Sequence, residues 1–412
     1  MNASVDGPGV YLERGRNTPR IPPRRLRIFQ SILGRVESGE IEVELPEGGR
    51  IRAVGREPGP CGRVTVLNPR FFGRLLAEGD LGFGEMYMER WWTTPDLQSL
   101  LDVILLNNEN MAREFPGTWL FRLRERLLHL LNANSRKGSR RNIAHHYDLG
   151  NAFYGLWLDE SMTYSSALFR NGNESLVEAQ RNKYAAICDR LALAPGGHIL
   201  EIGCGWGGFL EYAVRDRGLR VMGLTISREQ RDYAQRRLFE AGLAERAEIV
   251  LRDYRDERGS YDGIVSIEMI EAVGERYWSH YFRALRDRLR PGGHAALQAI
   301  TIADSLFPKY RVRADFVQKH IFPGGMLPNS AALRDPAEAA GLKQIGWDSF
   351  ADSYSRTLRA WRRQFNSRWD RIAELGFDRG FHRMWNFYLA SSAAGFAAGT
   401  TDVVQVHYRR PL

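Results

Sequence analysis

Residues His198–Gly208, HILEIGCGWGG, join a short apolar strand to a turn that holds Gly203, Gly205, Gly207 and Gly208. Ile199, Leu200 and Ile202 supply the strand, and Glu201 is an acid set into it. Only glycine lets a backbone turn this tightly while passing close to a bound molecule. The spacing is E-x-G-x-G-x-G, without the G-x-G-x-x-G step into a helix that marks NAD-binding turns. The turn is expected to hold a cofactor, against the plainer reading of a structural tight turn.

The residues that follow alternate strand and helix as a doubly wound sheet requires. Strands are expected at 220–224, 247–252, 261–267 and 294–302, with helices at 227–241, opened by the serine cap Ser227, and at 277–289, stopped by Pro291-Gly292-Gly293. A last pair of strands is expected at 343–350 and 402–408. Ligands of such sheets lie beyond the carboxyl ends of the strands, so the residues ending each strand are the site candidates.

The chain has 412 residues, 43% of them hydrophobic, enough for two domains with full cores. Cys61, Cys188 and Cys204 are spaced neither as a disulfide framework nor as a zinc site, and a reducing cytoplasm is the expected home. The first residues lack the apolar core of a signal peptide, and no stretch reaches the length of a membrane span. A net charge of +9 invites an anionic partner. The basic residues gather at Arg14–Arg27 and at Ser135–Arg141, either as solvated linkers or as a lipid-facing surface. No zinc finger, RNA-recognition signature or basic zipper points to nucleic acid.

Residues 1–27, rich in Pro, Gly and Arg, are expected to be disordered. A small α+β domain is expected over 28–132, a basic linker over 133–141, and the larger α/β domain from 142 to 412.

Six separated motifs then resemble the cyclopropane-fatty-acyl-phospholipid synthases: HHYDLGNAFYGLWLDESMTYSSALF at 145–169, LEIGCGWGG at 200–208, GLTISREQ at 223–230, RDYRD at 252–256, MIEAVG at 269–274 and HIFPGGMLP at 320–328. The resemblance implies a class I S-adenosylmethionine methyltransferase fold, a Rossmann-like doubly wound sheet with helical insertions plus the small N-terminal α+β domain. It implies methyl transfer from S-adenosylmethionine to the double bond of an unsaturated acyl chain in a phospholipid. The partner is then an unsaturated phospholipid at an anionic membrane surface, reached from the cytoplasm. A homodimer is the alternative to a monomer.

Carried onto this sequence, the resemblance gives the methionine half of S-adenosylmethionine to Gly203, Gly205, Tyr164 and Ser165, the ribose side to Thr225, Ile226 and Gln230, and the adenine to Asp253 and Tyr254; Ile267, ending its strand, completes the cofactor set. The family's base is a bound bicarbonate held by a glutamate, a tyrosine, a histidine and a cysteine-containing segment. The first two correspond to Glu271 and Tyr354. The other two positions depart from the pattern: Ser166 stands in YSSA where YSCA is usual, and Gln298 stands in the place of the histidine. Serine and glutamine donate hydrogen bonds to an anion but do not relay a proton as imidazole does.

An alkene is a weak nucleophile with no acidic proton, so the site must exclude water, align the sulfonium methyl, tolerate a carbocation and offer a base. Loss of a proton from the added methyl closes a cyclopropane, the first expectation. A hydride shift followed by loss of a neighbouring proton gives a methylene-branched chain, which a separate reductase could saturate to a methyl branch. An inactive lipid-binding module is the reading from another class. The insertion carrying Trp361, Phe365, Trp369, Trp385, Phe387, Tyr388 and Phe396 is expected to line the acyl pocket, against plain core. The segment 307–328, with Lys309, Arg311, Arg313 and Lys319, is expected to be a lid or membrane-facing piece.

Overall fold

A computed structural model describes residues 7–14, 21–46, 48–112 and 149–412. The expected linker 133–141 and the start of the HHYDLG motif lie outside the described residues. The chain divides into two compact units, one from residues 1–128, 313–320 and 376–400, the other from 129–312, 321–375 and 401–412.

The second unit is built on seven strands: β6 (His198–Ile202), β7 (Arg220–Thr225), β8 (Ala247–Leu251), β9 (Tyr261–Ile267), β10 (Leu289–Ile302), β11 (Lys343–Ser349) and β12 (Thr401–Arg409). Their order is β11-β12-β10-β9-β6-β7-β8. Strands β6 to β10 run parallel, while β12 lies antiparallel between β10 and β11. Parallel strands covered on both faces read as continuous apolar runs, and successive residues serve opposite faces. Leu200, Ile264 and Leu297 pack with Tyr281, Phe282 and Val406 on one side. Their neighbours Ile199, Val265 and Ala296 pack with Ile187, Leu210 and Ala213 on the other. Strand β6 has β7 on one side and β9 on the other, so the strand order reverses there. A crevice for a ligand opens beyond the carboxyl end of such a switch strand, and Gly203–Gly208 fill that end.

The first unit carries a five-stranded sheet of order β1-β3-β2-β4-β5, formed by β1 (Gly9–Arg14), β2 (Ser38–Glu44), β3 (Gly49–Val54), β4 (Glu57–Val66) and β5 (Trp92–Thr93). Ile41, Val43, Ile51, Ala53, Val64 and Val66 are buried. The intervening charged residues face outward, and Arg52 pairs with Glu40 across the sheet.

Two expectations change. Residues 1–27 are not disordered throughout, because Gly9–Arg14 adds an antiparallel edge strand to β3 and a helix starts at Pro23, whose fixed φ suits a first helical position. The C-terminal aromatic helix Arg379–Ala397 belongs to the first unit rather than to the unit of the seven-stranded sheet. Phe387 lies 4.6 Å from Phe316 and 6.3 Å from Phe83, which stacks on Trp92 at 4.2 Å. A side chain at Gly84 would place its Cβ 2.5 Å from Phe316 and 2.7 Å from Phe387, so glycine permits this packing. Phe387 and Tyr388 are therefore buried within the first unit. In the segment 307–328, Arg311 pairs with Glu275, Arg313 with Asp80 at 2.7 Å, and Lys319 with Glu85 at 2.7 Å. Three of the four cations expected to face head groups are thus neutralised by acids of the protein. Among the described residues, no helix is long and apolar enough to cross a membrane.

Ile264, fully buried at the middle of β9, tests the central sheet. Ile264→Ala is expected to cost about 3 kcal/mol, within the range for truncating a buried isoleucine. The urea midpoint of the second unit should fall with little change in slope. A loss under about 1 kcal/mol would mean that neighbouring side chains close the cavity.

Candidate active site

Strand ends bring the cofactor candidates to one edge of the sheet. The amides of Gly203 and Cys204 both donate to Leu224 O at 2.9 Å, which ties the glycine turn to β7. The Gly203 amide is thereby taken up. Gly205 sits at φ +52°, and a Cβ built there meets no atom of the protein within 4 Å. Its amide has no acceptor among the described residues. A left-handed glycine facing open space beyond the switch strand, with its amide unclaimed, fits the methionine half of S-adenosylmethionine. Gly208 has a different role: a Cβ there would lie 2.7 Å from Tyr184 Oη and 2.8 Å from Ser161 O, so it serves packing.

At the end of β7, the buried Thr225 hydroxyl donates to Gln230 Oε1 at 2.9 Å and accepts from Ser227 N at 3.1 Å. Ser227 caps the helix Arg228–Glu240, which brings Gln230 back beside Thr225 and Ile226. Asp253, after β8, clamps its neighbour Arg255 through bonds of 2.8 and 2.6 Å, so that carboxylate is already engaged. Tyr254 packs edge-on to Tyr281 at 5.5 Å, and burial pushes its hydroxyl up to about 12. Ile267, at the end of β9, packs against the core cluster of Leu210 and Val221.

The segment 164–169 is strapped between two helices. From Leu176–Leu191, Gln180 Nε2 donates to Ser165 O at 3.0 Å and Lys183 Nζ to Ser165 Oγ at 2.8 Å. From Ala351–Ser367, Thr357 Oγ1 accepts from Ala167 N and Ser353 Oγ from Phe169 N. Tyr354 rises from that same helix. Lys183 is fully buried, and loss of water holds its ammonium down to about 7 although Glu268, Asp159 and Glu201 oppose the shift. Burial likewise pushes Glu201, with Oε2 unpartnered among the described residues, up to about 8.

The residues expected around bicarbonate converge instead on Glu268. Its Oε1 accepts from Ser166 N at 2.8 Å and from Gln298 Nε2 at 2.8 Å, and its Oε2 accepts from Tyr354 Oη at 2.8 Å. Gln405, opposite Gln298 in the β10–β12 register, donates to Gln298 Oε1 at 3.1 Å and so turns the Gln298 amide nitrogen toward Glu268. Glu271 lies outside this group. Its Oε1 accepts from Ile300 N at 2.5 Å, and its buried Oε2 has no partner among the described residues. Burial, with Glu268 nearby, pushes the Glu271 carboxyl up to about 8. Gln298 Nε2, Tyr354 Oη and the Ser166 amide are committed to Glu268, and Ser166 Oγ donates to Ala167 O at 2.9 Å, so the residues present do not fit a second anion among them.

Glu268 holds an unusual backbone. Its φ is +48°, a left-handed conformation that costs a non-glycine residue on the order of 1 kcal/mol and persists where surrounding structure enforces it. The enforcement includes a 2.7 Å bond from Glu268 N to Gln298 O. Burial raises its carboxyl above the ordinary glutamate range, although Lys183 and the three donors lower it. Tyr354 adjoins Trp361, and Tyr164 lies between Trp361 at 5.3 Å and Phe322 at 6.3 Å. These rings set an electron-rich wall beside the carboxylate, suited to a transient cation. Sequence reasoning missed Glu268, Lys183, Gln180 and Gln405. The signals present were a second glutamate three residues before Glu271 and two polar residues three apart on an otherwise buried helix face.

The family model of mycolic acid cyclopropane synthetase matches residues 134–406. The tuberculostearic acid methyltransferase of Mycobacterium tuberculosis is 42% identical over 342 residues, 81% of this chain and 79% of that protein. The cyclopropane-fatty-acyl-phospholipid synthase of Escherichia coli K12 is 35% identical over 348 residues, 84% of this chain and 87% of its own length. Among solved structures, a mycolic acid cyclopropane synthase complexed with SAH and CTAB superposes with a TM-score of 0.62 at 29% identity, covering 66% of this chain and 98% of that one. With the glycine turn at the switch strand of a methyltransferase sheet, these similarities establish that the chain belongs to the mycolic acid cyclopropane synthetase family and acts as an S-adenosylmethionine-dependent methyltransferase.

Proposed function

We propose that the protein methylates the double bond of an unsaturated acyl chain carried by a phospholipid, and that the reaction ends in a methylene-branched chain. The observation that carries the reading is the carboxylate cage of Glu268, Ser166, Gln298 and Tyr354 beside the rings of Tyr164 and Trp361. A base against an aromatic wall is what an alkene methylation needs after the methyl has moved. Phospholipid as the carrier is supported by similarity to the Escherichia coli synthase that extends over 84% of this chain.

Bound S-adenosylmethionine would supply an electrophilic methyl group on a sulfonium. The chain would position it: Gly205 would admit the methionine half, while Thr225, Ile226 and Gln230 would face the ribose. The aromatic residues exclude water and stabilise positive charge by their ring faces. Branching is favoured over ring closure by the greater identity to the tuberculostearic acid methyltransferase, 42% against 35% for the cyclopropane synthase. Gln298 in place of histidine points the same way, since it fixes the carboxylate without relaying protons. Attraction to an anionic surface remains part of the proposal through exposed Arg24, Arg25 and Arg27.

Incubation with methyl-labelled S-adenosylmethionine and vesicles of monounsaturated phospholipid is expected to give acyl chains one CH2 heavier, whose proton NMR shows branched-alkene signals. Cyclopropane ring protons would overturn the product, and unlabelled acyl chains would overturn the function. The cofactor turn has its own test in Gly205→Val, which sets a β-branched side chain at a left-handed position facing the cofactor's space. Titration calorimetry should show S-adenosylmethionine affinity reduced at least about tenfold, or about 1.4 kcal/mol, with an unchanged circular dichroism spectrum. Affinity within a factor of about two would remove this turn from the cofactor site.

A further inference from the structure

We propose that Glu268 is the proton acceptor of the reaction, a carboxylate built into the chain where the family resemblance places a bound bicarbonate. The inference rests on reading the site as one that methylates an alkene, and it names the base of that chemistry.

Four observations converge on it. The residues expected around bicarbonate, Ser166, Gln298 and Tyr354, each meet a Glu268 oxygen at 2.8 Å, Ser166 through its backbone amide and the others through Nε2 and Oη. The cage is held from behind, because Gln405 fixes Gln298. The carboxylate is delivered by a backbone at φ +48°, where glycine would be the unstrained choice. Oε2 accepts a single bond among the described residues, so one of its lone pairs is open to a proton. A carboxyl raised by burial is a better proton acceptor than an ordinary glutamate.

The step balances. The alkene electron pair forms the bond to the methyl carbon as the S–CH3 bond breaks, which leaves a cation on the second alkene carbon and a neutral thioether. A hydride shifts from the methylated carbon to the cationic one. A C–H electron pair next to the shifted cation then becomes the new double bond, and its proton goes to Glu268 Oε2. The carboxylic acid returns that proton to solvent between turnovers. No external anion enters the sequence.

Glu268→Gly tests this by emptying the cage while relaxing the left-handed backbone, and Glu268→Gln fills the same space without a base. In buffer stripped of carbon dioxide, the wild-type rate is expected to stay within about twofold of its rate in bicarbonate, while both variants lose about 100-fold or more, the lower range of a positioned general base. Millimolar bicarbonate or formate is expected to restore Glu268→Gly by about tenfold or more and to leave Glu268→Gln inactive. Calorimetric titration with bicarbonate, which needs no turnover, is expected to show binding to Glu268→Gly and none to wild type. S-adenosylmethionine titration and thermal melts establish that both variants are folded. A wild-type rate that collapses without bicarbonate and returns with it would overturn the proposal, as would a fully active Glu268→Gln enzyme or bicarbonate binding equally to wild type. If wild type transfers no methyl group to unsaturated phospholipid, the proposed function fails. Binding of bicarbonate by Glu268→Gly alone would in that case still support Glu268 as the resident anion of the cage.

Discussion

A carboxylate set among apolar and aromatic side chains is tolerable only when donors meet its oxygens, and that requirement organises the end of β9. Glu268 has its donors because each is anchored independently. Ser166 is presented by the strap 164–169, held through Gln180 and Lys183 on one side and Thr357 and Ser353 on the other. Gln298 is oriented by its cross-strand partner Gln405. Tyr354 comes from the helix Ala351–Ser367, whose Trp361 also packs against Tyr164. Residues from two strands, two helices and the strap thus fix one carboxylate, and the left-handed backbone at Glu268 is held by the same set.

The surrounding charges follow the same economy. Lys183 is a single buried cation facing Glu201, Asp159 and Glu268. Loss of water disfavours the ammonium, and the nearby carboxylates restore part of that loss. Glu201 and Glu271, with no comparable set of donors, are pushed by burial toward the protonated form. Glu268 gathers more donors than Glu201 or Glu271 and is the best arranged of the three to carry negative charge.

Much of the methyltransferase sheet was legible because its strands are buried on both faces and therefore read as unbroken apolar runs ending in glycine or polar residues. Ser227 and the four glycines of the turn announce their positions by local chemistry alone. Strand β10 was harder, since it continues through Pro291-Gly292-Gly293, which reads as a turn, with a shift of register between Leu289 and His294. The placement of the helix Arg379–Ala397 depends on contacts of Phe387 with residues some 300 positions away, and no local pattern reports them. At the base site the choice between Glu268 and Glu271 turns on a positive φ at a glutamate. Composition and periodicity do not encode that feature, and the family resemblance directed attention to the neighbouring carboxylate instead.

The arrangement of the cage itself decides the account. A high-resolution crystal structure of the wild-type protein with S-adenosylhomocysteine, grown in the presence of bicarbonate, measures it directly. The account predicts Glu268 bonded to Ser166 N, Gln298 Nε2 and Tyr354 Oη, with no separate anion among them. A bicarbonate ion on those three donors, with Glu268 turned away, would contradict it.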